Sequence, residues 1–136
     1  MTSLSPMTAS LGVALGGAIG AVLRYNLGRA MTAWMGAPAM GVFPWATLAA
    51  NALGSLAMGV LAGFLARGFG GIYADQLRLI VGVGLLGGFT TFSAFSLEAW
   101  LLIERGQLTF ALLYVVLSVC LSISALVFGL TMTRVF

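Results

Sequence analysis

Residues 87–96 read Gly87-Gly88-Phe89-Thr90-Thr91-Phe92-Ser93-Ala94-Phe95-Ser96. The stretch lies where a hydrophobic span should run on without interruption. Paired glycines, paired threonines and two serines are poor material for a membrane helix. Glycine loses the most backbone entropy on ordering, and threonine is stiff at χ1. In a bilayer an unwound turn leaves polar backbone groups with no water to satisfy them. Such a turn survives only where it is buried in protein, holds an ion or lines a wet cavity. Its exposed carbonyl oxygens suit a bare alkali cation, and two facing turns would offer enough of them for a buried Na⁺. A plain glycine kink serving only packing remains the rival reading.

Outward from this stretch, the composition is that of a membrane protein. The chain has 136 residues, of which 61% are hydrophobic and 7% charged, with a mean hydropathy of +1.12. Soluble domains carry about 25% charged residues. A span needs about 20 apolar residues, and the expected ones are 11–34, 45–66, 77–103 and 108–132. They form a single all-α domain of four transmembrane helices, the third of them broken. The chain has no His and a single Cys, Cys120, which makes a transition-metal site or a histidine proton relay a poor reading. The basic residues are six arginines scattered along the chain, not the clustered patch of a nucleic-acid binder.

Three spans carry a stripe of small or polar residues every four positions. In the first it is Gly12, Gly16, Gly20, Arg24 and Gly28; in the second Thr47, Asn51, Ser55, Gly59 and Gly63; in the fourth Tyr114, Ser118 and Ser122. Small residues let helices approach closely, and hydroxyls or amides on an oily helix must find partners. Arg24 either snorkels to the interface or holds a vestibule where anions gather. A loop with Pro38, Phe43, Pro44 and Trp45 precedes the second span.

With four spans, Arg67, Arg78 and Arg134 fall on one side and Arg24, Arg29 and Arg105 on the other. The positive-inside rule then gives no preferred orientation. A chain without bias can insert both ways, and two copies can pair as an antiparallel homodimer. Hydroxyls and the Asn51 amide donate hydrogen bonds, and aromatic rings are positive at their edges. Together, the hydroxyls, Asn51, Phe92 and Phe95 would favour a small anion without a fixed charge to trap it. Ordinary core packing is the competing account of the two phenylalanines.

Three motifs then point in one direction. Residues 16–25 are similar to GGxxGAxxRY, residues 47–55 to TLxxNxxGS, and residues 87–98 to GGxTTFSTFSxE, departing from it at Ala94. The sequence resembles the Fluc (CrcB) family of small fluoride channels. That resemblance implies an antiparallel, dual-topology homodimer in the bacterial inner membrane that passes F⁻ passively and confers fluoride resistance. It implies a structural, untransported Na⁺ held by the backbone carbonyls of Gly87 and Thr90 from both copies. It assigns Asn51, Phe92, Phe95, Thr47, Tyr114, Ser118 and Ser122 to the fluoride pathway, with Arg24 in the vestibule. Thr91, Ser93 and Glu98 are further candidates within the third motif. No enzymatic step is expected. Two rivals compete: a small four-span, dual-topology, proton-coupled drug or cation exporter, and a non-transporting scaffold.

Overall fold

The computed structural model describes residues 4–135, and among them every regular element is helical. Helix α1 spans Pro6–Met35; Ser5 caps it by accepting from the Thr8 N–H at 3.2 Å, and Pro6 suits its first turn. It stops at Gly36, whose φ of 86° is the left-handed backbone that glycine tolerates. The expected loop after it contains a short helix, α2 (Ala37–Val42), with Pro38 in its first turn. Helix α3 follows as Trp45–Ala66. The third run begins with a 3₁₀ turn (Gly71–Tyr73) and continues through α4 (Ala74–Leu77), a π-helical segment (Arg78–Leu86), α5 (Gly87–Phe89) and α6 (Phe92–Glu104). Helix α7 spans Leu108–Val135.

Four runs are long and apolar enough to cross a membrane: Pro6–Met35, Trp45–Ala66, Gly71–Glu104 and Leu108–Val135. The chain is a multi-pass membrane protein. Its large apolar side chains, such as Leu15, Ile19, Leu112 and Phe128, point outward, as they do where lipid is the solvent. At ~1.5 Å per residue, the 30 residues of α1 reach beyond a hydrocarbon core of ~30 Å. Its ends therefore enter the headgroup regions.

The helices pack in two close pairs. Helix α1 lies along the π-helical segment and α5, whereas α3 lies along α7; α6 rests on α7 and α3. Glycines make the contacts backbone to backbone. A methyl group at Gly84 would sit 2.9 Å from the Val13 carbonyl oxygen and 3.2 Å from the Gly16 Cα. In the second pair Gly59 meets the backbone of Leu126, and Gly129 that of Leu56 and Val60. At one end of this pair Phe43, Leu48, Leu102, Ala111 and Tyr114 form a buried cluster, with Phe95 and Ala99 against it.

The residues that leave helical geometry in the third run are Thr90 (φ −82°, ψ 160°) and Thr91 (φ −154°, ψ 121°). This corrects the reading of an unwound turn extending back to Gly87, because Gly87, Gly88 and Phe89 are helical. The physical reason lies in the side chains. β-branched threonine favours extended backbone, and the Thr91 hydroxyl caps α6 by accepting from the Ala94 N–H at 3.2 Å. Gly88 serves a different need: a Cβ there would lie 2.9 Å from the Gly17 Cα of α1.

Candidate ion pathway

Asn51 organises the joint between α5 and α6. Its Nδ2 donates to the Thr91 carbonyl at 3.0 Å, and the Thr91 N–H donates back to its Oδ1 at 2.7 Å. The carboxamide thus pairs with the extended residue as a neighbouring strand would. In an uninterrupted α-helix that N–H would reach the carbonyl four residues earlier, which is Gly87. Likewise the Ala94 N–H, directed to the Thr91 hydroxyl, no longer reaches the carbonyl of Thr90. Four carbonyls, from Gly87 to Thr90, therefore lack their helical donors. Hard cations take oxygen ligands, and carbonyl ends of interrupted membrane helices coordinate Na⁺. Backbone carbonyls such as those of Gly87 and Thr90 are of the kind that fits such an ion. The intervening Gly88 carbonyl accepts from Arg24 Nε at 3.3 Å.

Beside the joint lies a cleft of ≈ 370 Å³ lined by Asn51, Ser55, Thr90, Phe92, Phe95, Ser118 and Ser122, with apolar Met58 and Leu126 among the remaining walls. Five of the residues assigned to the pathway from sequence (Asn51, Phe92, Phe95, Ser118 and Ser122) are thus brought to one place. Ser118 is 5% exposed, and its Oγ has no hydrogen-bond partner among the described residues. A buried hydroxyl without a partner costs about 1–3 kcal/mol, a cost that a hydrogen-bonding occupant of the cleft would relieve. The Phe92 and Phe95 rings lie 5.4 Å apart, tilted by 42°. Phe92 is 78% exposed and stands at the open side. Phe95 turns inward, its centroid 5.3 Å from that of Tyr114.

Thr47 and Tyr114 do not line this cleft. They converge instead on Glu98: Thr47 Oγ1 donates to Oε1 at 2.8 Å and the Tyr114 hydroxyl to Oε2 at 2.6 Å. Thr47 and Glu98 also line a second, wider cleft of ≈ 730 Å³, on whose wall Arg24 stands. Phe95 touches Tyr114, and Tyr114 holds Glu98, so a chain of contacts links the two clefts. Thr91, which also lines the narrower cleft, and Ser93 belong to the cap of α6, their hydroxyls 3.3 Å apart. Met58 and Leu126 gave no signal in the sequence, because an apolar residue on an apolar span is unremarked.

The family model described as CrcB-like protein, Camphor Resistance (CrcB), matches residues 11–130. The chain belongs to the CrcB-like family. Its matched range includes both clefts and the Thr90–Thr91 joint. A relative from Erythrobacter litoralis is 70% identical over 136 residues, covering 100% of this chain and 99% of that protein. One from Novosphingobium aromaticivorans is 56% identical over 128 residues, covering 94% and 98%. A third, from Sphingopyxis alaskensis, is 52% identical over 135 residues, covering 98% and 97%. Each of these three CrcB-like relatives carries the name Fluoride-specific ion channel FluC.

Proposed function

We propose that this chain is a fluoride-selective channel through which F⁻ leaves the cytoplasm passively. The observation that carries the reading is the unpartnered Ser118 hydroxyl on the cleft that also holds Asn51, Phe92 and Phe95. A small anion gives up its water only where other donors replace it. Ser118 supplies one, and Asn51 has a second amide proton beyond the one given to Thr91. The ring edges of Phe92 and Phe95 offer weak positive potential along the same wall. No arginine lines this cleft, so the anion is held weakly enough to depart. An interior-negative membrane potential drives the anion outward. Acid that carries HF inward, where it dissociates, supplies the load to be removed. The names of the relatives agree with this reading.

The finer reading follows from the same residues. The third span acts as a broken helix. Its α5 end presents carbonyls to a cation, and the first turn of α6 presents N–H groups on the side of the anion. The Gly87 and Thr90 carbonyls of one chain are too few to enclose the ion, so a Na⁺ site there calls for a second copy across a two-fold axis. The ion when bound supplies a fixed positive charge and holds two joints together. The balanced arginines fit antiparallel insertion of the two copies, and the bacterial inner membrane is the fitting location. Nothing favours a proton-coupled exporter, since both Glu98 oxygens already accept from hydroxyls. In liposomes the purified protein should release F⁻ and retain Cl⁻. Comparable Cl⁻ release would overturn the reading.

A further inference from the structure

The wider cleft holds a second cation that the pathway does not use. Arg29 lines it together with Arg24, Tyr25, Thr47 and Glu98. Arg24 is committed at the inner end, where its Nε donates to the Gly88 carbonyl at 3.3 Å. Arg29 lies five residues farther along α1, about 7.5 Å along the axis at the α-helical rise. Its guanidinium carbon is 5.9 Å from the centre of the Tyr25 ring. The two residues are four apart on one helix, so the ring keeps the charge on the cleft side and outside the protein interior. Glu98 is the acid on this wall, and its oxygens are taken by Thr47 and Tyr114, not by either arginine. Two arginines against one carboxylate leave the cleft electropositive.

A cleft of one sign with low-dielectric walls concentrates counter-ions at its mouth and raises their rate of entry. Resting on the fluoride-channel reading, we infer that Arg29 is an outer vestibule cation that raises the local concentration of the permeating anion through its field, without ligating it. Arg29 is thus more than a topology signal or an interface anchor. An anchor acts through lipid, whereas a field at the mouth is screened by salt. The Debye length falls from ~30 Å at ~10 mM to ~3 Å at ~1 M.

The test is F⁻ efflux from vesicles of uncharged lipid at fixed F⁻ activity, with an impermeant salt setting the ionic strength. For Arg29→Gln the flux should be about two- to threefold below that of the unaltered chain at ~10 mM and equal to it at ~1 M. Arg29→Lys, which keeps the charge, should match the unaltered chain at both. Arg134→Gln removes the same net charge at a residue that lines neither cleft and should change nothing. A deficit in Arg29→Gln that persists at ~1 M, no deficit at ~10 mM, or an equal deficit in Arg134→Gln would each overturn the inference. Absence of F⁻ flux in the unaltered chain is a different result. It would overturn the channel reading itself, and this inference with it.

Discussion

Asn51 and Thr91 exchange two hydrogen bonds across the α3–α6 contact, of 3.0 Å and 2.7 Å, as two paired strands would. The pair satisfies a backbone residue that has left helical geometry in the middle of a membrane. It also redirects the N–H that Gly87 would otherwise receive. One side chain thereby fixes the conformation of the joint, frees a carbonyl and lines the cleft.

Asn51→Ala should therefore damage more than one property. It leaves the Thr91 N–H and C=O without partners, at about 1–3 kcal/mol each, and removes a donor from the cleft. Thermal denaturation in detergent should shift downward, and F⁻ efflux should fall to the lipid background. Asn51→Asp keeps the acceptor for the Thr91 N–H and so should retain more of the stability while still losing flux. Normal flux in either variant would mean that the carboxamide is no part of the path.

Phe92→Ile and Phe95→Ile test the aromatic wall. Each removes a ring edge while keeping an apolar side chain. F⁻ flux should collapse while elution volume on size exclusion and helical content by circular dichroism stay unchanged. A scaffold would show no loss that flux could measure.

The carbonyls of Gly87 and Thr90 cannot be deleted by side-chain substitution, so the cation is tested by omission. Protein purified and reconstituted with N-methylglucamine in place of Na⁺ should lose F⁻ flux, and Na⁺ should restore it without itself being transported. Undiminished flux in Na⁺-free medium would remove the cation from the scheme.

Glu98→Gln keeps one acceptor oxygen, but its amide group faces a hydroxyl donor. The variant should pass F⁻ selectively at a reduced rate. A proton-coupled exporter, whose cycle needs an ionisable carboxylate, would lose transport altogether. Tyr114→Phe complements it by leaving one Glu98 oxygen unpartnered, with a stability cost of about 1–3 kcal/mol.

Gly84→Leu tests the packing of α1. Even the Cβ there would lie 2.9 Å from the Val13 carbonyl oxygen, backbone that cannot move aside like a side-chain tip. Overpacking of this kind costs about 1–3 kcal/mol or more. Recovery of folded protein should drop sharply, whereas Gly41→Leu, where nothing lies within 4 Å, should be tolerated.

Much of the fold was legible because lipid demands long apolar runs, and those runs are visible residue by residue. The i+4 stripes marked which helix faces are inner ones. They did not say which inner faces meet. Thr47 and Tyr114 lie on different spans, and nothing local announces that both hydroxyls turn to Glu98. Glycines were the obvious suspects for the joint, yet the threonines take the extended backbone. Helix-breaking tendency at Gly87 and Gly88 is overruled by tertiary contact, since Gly88 is needed against Gly17. The π-helical segment Arg78–Leu86 has the composition of any apolar helix. The helix α2 was hidden among loop residues, although Pro38 placed near its start was a usable signal.

The pairing of helices has a consequence for how the molecule is made. Gly16 of α1 fits against Gly84, and Gly59 of α3 against Leu126. Each early helix thus has its mate far downstream, beyond the helix that follows it in the chain. During synthesis α1 and α3 enter the bilayer with their glycine faces still bare to lipid. A nascent chain arrested before Gly84 holds two helices and neither of their proper mates. Such an intermediate keeps both small-residue faces unpaired until the last two spans arrive.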